Sequence, residues 1–196
     1  NFHRLVAPVF IAVAASIAAF VGVVIVAATL QDEAALEAEA KVIEQDMASI
    51  HKSLAVLAED NAWWDESVDN ITIEEDIDWI DTTIGESVNG IQDIHGVLVL
   101  RPDASLIYAN FVQDLPAPHV LLDAGFQKLI RTFPKPKPRE PISRSGFILA
   151  EGQLLAFGAS LVQNSGINQL DDVVAENGHS AIIFVAQLTA EHLEEM

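Results

Sequence analysis

The chain has 196 residues and no cysteine, with Lys+Arg 10 against Asp+Glu 29 and a formal net charge of -19. These counts exclude a disulfide scaffold, thiol catalysis and any Cys-ligated zinc or iron–sulfur site, and so acidic a surface repels nucleic acid and anionic lipid. With 51% hydrophobic and 20% charged residues the chain is not a disordered polyanion, and its length allows one ordinary domain besides a hydrophobic segment.

Residues 1–30 read as a transmembrane anchor. The run 5–30, LVAPVFIAVAASIAAFVGVVIVAATL, holds no charged residue. As a helix it reaches about 39 Å, against a hydrocarbon core of about 30 Å. Pro8 falls in the first turns, where a missing N–H costs little. The rival reading is a cleaved signal peptide, but the apolar run is long for one and Ala27-Ala28-Thr29 is a weak cleavage match. Arg4 before the run and Gln31-Asp32-Glu33 after it predict a cytoplasmic N-terminus, with the acidic body outside. Asn1 at the start and Glu194-Glu195-Met196 at the end read as the limits of a fragment.

Residues 31–60 read as a juxtamembrane signalling helix, free of Gly and Pro and rich in Ala, Glu, Leu and Lys. Leu36, Ala40, Ile43, Met47, Ile50, Leu54 and Leu57 recur in steps of four and three. The pattern fits a parallel homodimer through Leu36 to Leu57, and it fits equally an amphipathic helix lying on its own domain. The two hold together if the membrane-proximal half pairs and the distal half packs.

Residues 61–188 read as the sensory domain proper. It opens on Asp60-Asn61-Ala62-Trp63-Trp64-Asp65, followed by Asp76-Ile77-Asp78-Trp79, so that each of the chain's three tryptophans stands near a carboxylate. A carboxylate there can accept an indole N–H or cap the next helix. His95 to Leu100 and Leu106 to Asn110 read as strands around the turn Pro102-Asp103-Ala104-Ser105. Val120 to Thr132 has helical spacing. Phe147 to Ala150 and Gln153 to Val162 form a second hairpin around Glu151-Gly152, and Ser180 to Leu188 reads as a buried strand. Residues 163–178 are polar and read as an exposed connection. The fold class expected is α+β: an antiparallel sheet of five strands, PAS-like, with flanking helices on one side. Residues 189–196 would begin an exit helix toward a second span outside the fragment.

Asp60, Trp64, Asp65 and Trp79, with the strand-turn-strand that follows, resemble the fourth type of CHASE domain, an extracellular or periplasmic sensory module of bacterial and archaeal signalling proteins. The resemblance covers roughly residues 31–196. The family's hairpin often has an Asp-Gly turn, and Ala104 stands where that glycine would be. The resemblance implies a PAS-like sheet, a second membrane helix after the domain and a cytoplasmic output. That output is most often cyclic-di-GMP synthesis or hydrolysis and sometimes a histidine kinase. On this reading the chain is a sensor in the cytoplasmic membrane with its domain in the periplasm or outside the cell, and the fragment is not itself an enzyme. A dimerising spacer without a ligand and a tethered hydrolase are the rivals.

No catalytic, metal or cofactor set stands out. The histidines (His3, His51, His95, His119, His179 and His192) lack ligand spacing, and Ser143-Arg144-Ser145-Gly146 is not a nucleophile elbow. One charge feature does stand out. Lys128, Arg131, Lys135, Lys137, Arg139 and Arg144 surround Pro134, Pro136, Pro138 and Pro141. This basic, extended loop (134–141) is either a solvated strap, a rim that attracts an anionic ligand, or a contact for lipid headgroups. In the ligand reading Arg144 binds the carboxylate, Tyr108 and Trp64 supply aromatic walls, and Asp65 and Trp79 complete the candidate set.

Overall fold

The structure, a computed structural model, describes residues 38–86, 94–111, 115–137, 140–164 and 178–188. The expected anchor (5–30) and exit helix (189–196) lie outside them. Among the described residues no helix is long and apolar enough to cross a membrane. The chain divides into two compact units, Asn1–Gln45 and Asp46–Met196. Of the first, residues 38–45 are described, and they are helical. Everything below concerns the second.

Helix α1 occupies residues 46–62. Its apolar stripe is buried: Leu54, Ala58 and Ala62 lie in the core, with Ile50 and Leu57 packed against it. Ser49, Lys52, Ser53 and Val56 face solvent. Of the heptad seam, then, Ile50, Leu54 and Leu57 are spent on the domain itself. Asn61 and Ser67 close the helix end. Asn61 Nδ2 donates to Leu57 O (2.8 Å) and Ser67 Oγ to Asn61 O (2.7 Å).

Two short helices follow. α2 (Asp65–Ser67) widens into π turns over Val68–Ile73, and α3 (Ile77–Ile80) into π turns over Asp81–Gly85. Asp76 caps α3 by accepting from Trp79 N–H (3.0 Å), as a carboxylate at that place should. Val68, Ile71, Ile80 and Ile84 carry the apolar side of this segment into the core.

The strands are β1 (Gly96–Leu100), β2 (Leu106–Phe111), β3 (Ser143–Ala150), β4 (Gln153–Leu161) and β5 (Ala181–Gln187). They form one antiparallel sheet in the order β2-β1-β5-β4-β3. Four of the five strands read from the hydrophobic pattern fall where expected, and the fifth, β3, begins four residues earlier. The β1–β2 turn closes without glycine: Ala104 takes a left-handed φ of 68°, and Asp103 Oδ1 accepts from Ser105 N–H (2.8 Å). Between β3 and β4, Glu151 (φ 48°) and Gly152 (φ 79°) make a two-residue turn with both φ angles positive.

Helices cover both faces of the sheet, not one. Ile182, Phe184 and Ala186 of β5 meet α1, α2 and α3, while Ala181, Ile183 and Val185 meet a second layer. That layer is α4, a helical run through Pro118–Leu121, wide turns at Leu122–Phe126 and Gln127–Arg131. Leu121, Leu122, Phe126 and Ile130 are its buried residues. The cause is visible in β5 itself. AIIFVA is apolar at every position, and a strand without alternation needs a cover on each side. A second expectation also changes. Gln163 and Asn164, read as the start of an exposed connection, are 5% and 6% exposed, because Gln163 N–H donates to Ala62 O at the end of α1 (2.9 Å).

Candidate functional site

Alternation along β3 divides its side chains between the two layers. Ser143 Oγ donates to Glu59 Oε2 of α1 (2.7 Å), and Ser145 Oγ lies 2.8 Å from His51 Nδ1. Arg144 and Ile148 point the other way. Ile148 belongs to the core under α4, and the Arg144 guanidinium stands over the Phe133 ring, 5.3 Å from its centroid. The edge strand is therefore held by α1 on one side and faces α4 on the other. His51 is also edge-on to Phe147, with ring centroids 5.2 Å apart. Burial, and then the charge of Lys52, lowers the His51 pKa below its ordinary value.

Between α4 and the sheet lies a groove of about 270 Å³. It exists because α4 carries Ala124 and Gly125 in its wide turn, where a larger side chain would fill the space. A Cβ on Gly125 would stand 3.4 Å from Ile148 Cδ1, an ordinary contact. Phe126, Phe157, Leu129 and Ile148 form the walls, and Phe147 borders the groove from β3 with its ring turned to His51 on the α1 side. Phe126 and Phe157 meet edge to face, with centroids 5.3 Å apart. The polar contributions are Lys128 and Thr132. The Thr132 hydroxyl already donates back to Lys128 O (2.8 Å). Among the described residues Lys128 has no ion-pair partner, whereas Lys137 is paired with Glu140 (3.1 Å). The basic stretch singled out in the sequence thus begins on this groove.

The other candidates lie elsewhere. Tyr108 and Trp79 pack against the core on the α1 face of the sheet. The Tyr108 hydroxyl bonds to Asp81, and burial, followed by that bond and the Asp81 charge, raises its pKa. Gly85 leaves no room for a Cβ beside this hydroxyl, and Asn110 Nδ2 donates to Gly85 O (3.2 Å). The assembly fastens the end of α3 to β2. Trp64 is 45% exposed and precedes α2, and Asp65 is its first residue. The Trp63 indole N–H is buried and has no partner among the described residues. Arg144 is thus the sequence candidate nearest the groove, while Trp79 and Tyr108 stand across the sheet from it.

Two features escaped sequence reading. The two phenylalanines of the groove walls, Phe126 and Phe157, come from α4 and β4, and only the topology gathers them. Arg101 and Glu75 form a two-pronged pair (Nε–Oε1 2.6 Å, Nη2–Oε2 2.7 Å) between β1 and the turn before α3. Hydrogen bonding to Arg101 holds the Glu75 pKa below its ordinary value. The one local signal for the groove was a glycine beside an alanine inside a helical run.

Among the described residues no group of His, Asp and Glu could hold a metal ion. No curated protein matches the chain. Residues 47–196 match the family model of the CHASE4 domain.

Proposed function

Because the chain belongs to the CHASE4 family, a family of sensory domains of signalling proteins, we propose that it is the outer sensing module of a membrane-bound signal-transduction protein. Residues 1–30 anchor it, residues 31–60 carry the signal, residues 61–188 form a PAS-like receptor head, and residues 189–196 lead toward a second span. The head stands in the periplasm or outside the cell. The output is cyclic-di-GMP synthesis or hydrolysis inside.

One observation carries this reading: β3 belongs at once to the groove and to the helix that leads out of the domain. Ser143 and Ser145, with the Phe147 ring on His51, tie it to α1, while Ile148 lines the groove. A ligand that prefers one position of β3 therefore biases α1 by its difference in affinity for the two positions. The ends of the domain suit such transmission. α1 runs from its Ala62 contact beyond the end of β4 back past Ser145, toward the β3–β4 turn. Leu188, just after β5, donates its N–H to Leu154 O near that same turn (3.0 Å). Entry and exit therefore approach one end of the sheet.

The test is the double substitution Ser143→Ala, Ser145→Ala in the full-length protein. It cuts both polar ties and leaves the groove walls in place. Cellular cyclic-di-GMP should shift several-fold from the wild-type level with the protein present in normal amount. A level identical to wild type would contradict the proposed transmission.

A further inference from the structure

We infer that the α4 groove takes a small monoanion with an apolar, preferably aromatic, body, such as an aryl-alkyl carboxylate; the inference rests on the sensory reading above and names the ligand class for that site.

At about 270 Å³ the groove lies below the range of about 300–1,000 Å³ usual for drug-sized ligands, so its occupant is small. Two aromatic rings, Phe126 and Phe157, and two aliphatic side chains make the walls, and offset or edge-on stacking rewards a ring laid against them. A sugar or other polyol would find no carboxylate or amide side chain there to bond its hydroxyls. The Thr132 hydroxyl proton is already engaged with the helix backbone. A cation would meet Lys128. The one formal charge lining the groove is the Lys128 ammonium, and it lacks an ion-pair partner among the described residues.

The setting strengthens this preference. The chain carries net charge -19 with only 10 Lys and Arg, yet Lys128 and Arg131 sit on α4, Lys135 follows it, and Arg144 stands on the adjoining strand above Phe133. A cationic margin on an otherwise anionic body draws a monoanion to this place and to few others. An inorganic phosphate would share that attraction but would desert its hydration shell against phenyl walls. The apolar body is thus as necessary as the charge.

Calorimetric titration of the whole chain in lipid nanodiscs tests the inference, with empty discs as reference. The probes are 3-phenylpropanoate, 3-phenylpropylammonium (the same body with opposite charge) and inorganic phosphate. Saturable binding is expected for the carboxylate alone. Lys128→Gln should weaken it about ten-fold, or about 1.4 kcal/mol. Ala124→Phe, which fills the groove from an exposed position of α4, should abolish it, and the circular dichroism of both variants should match wild type. Equal binding of the ammonium probe, no saturation by the carboxylate, or an affinity indifferent to Lys128→Gln each overturns the assignment. In cells, loss of the full-length protein's response with Ala124→Phe supports the groove as the sensing site. A normal response overturns the groove and leaves the sensory reading standing.

Discussion

Leu54 decides what the helical seam is for. It is 4% exposed and packs in the core between α1 and the sheet, so Leu54→Ala leaves a cavity. At Gly158 the sheet comes so close to the helix that even a Cβ would strike the Leu54 and Ala55 backbone. Helix and strand are already in backbone contact there and cannot close further on the vacancy, so the cavity persists and the cost belongs near the middle of the Leu→Ala range or above, about 3–4 kcal/mol. For a domain of this size that lowers the melting temperature by about 6–16 °C. Val56, 59% exposed on the same helix, is the control, and Val56→Ala should change stability by less than about 0.5 kcal/mol. Urea denaturation followed by circular dichroism, at two protein concentrations a hundred-fold apart, gives both numbers. The reasoning fails if Leu54→Ala costs less than about 1 kcal/mol. It fails equally if the loss depends on protein concentration, since a seam spent on a partner chain would couple stability to association.

Three further outcomes follow from local geometry. Glu75 has its pKa lowered chiefly by the hydrogen bond to Arg101. Its stabilisation is therefore present above the ordinary carboxylate pKa and is lost as pH falls through the depressed value. At neutral pH Glu75→Gln should cost under about 1 kcal/mol, since both partners are partly exposed, and variant and wild type should converge in acid. His51, held below its ordinary pKa of 6.5 by burial and then Lys52, contributes fully above that value, and its contribution falls as pH drops toward the folded pKa. His51→Gln should flatten that part of the stability profile, and parallel profiles for variant and wild type would refute the assignment. Glu151 adopts φ 48° in the β3–β4 turn, a conformation that Asn tolerates better. Glu151→Asn should raise stability by up to about 1 kcal/mol in the same denaturation assay.

Strands were the most legible part of the fold. Runs such as VLVL and AIIFVA are long, apolar and bounded by turn residues, so local pattern alone places β1 and β5. The two covering layers were harder to read. The spacing Ile50, Leu54, Leu57 serves a coiled-coil seam and a core-facing stripe equally, because both need one apolar face on a helix. Packing decided, and it decided for the core. The full apolarity of β5 held the clue to a layer on each face.

The basic stretch was legible as a feature, and its partner surface was not. Arg144 stood out by charge, but the ring beneath it, Phe133, and the groove walls Phe126 and Phe157 come from segments whose meeting depends on the order β5-β4-β3. Tyr108 was expected, with Trp64, to supply an aromatic wall for the ligand. Its hydroxyl instead joins Asp81 and fastens α3 to β2. The Trp-Asp segment carried the family resemblance, and its most definite structural work belongs to its neighbours. Asn61 and Ser67 end α1, and Asp76 starts α3.

The outward placement of the head underlies everything proposed for this domain, and because these 196 residues hold no cysteine, a thiol placed among them is measurable against the unsubstituted full-length protein. Ser53 lies on the exposed side of α1, and Ser53→Cys gives a thiol at a single chosen position of this chain. Cells expressing the full-length protein with that substitution are treated with a membrane-impermeant maleimide before and after lysis. Labelling of the intact cells, once any outer envelope has been made permeable, is the expected result. Labelling only after the cytoplasmic membrane is broken would put the head on the cytoplasmic side and contradict the account.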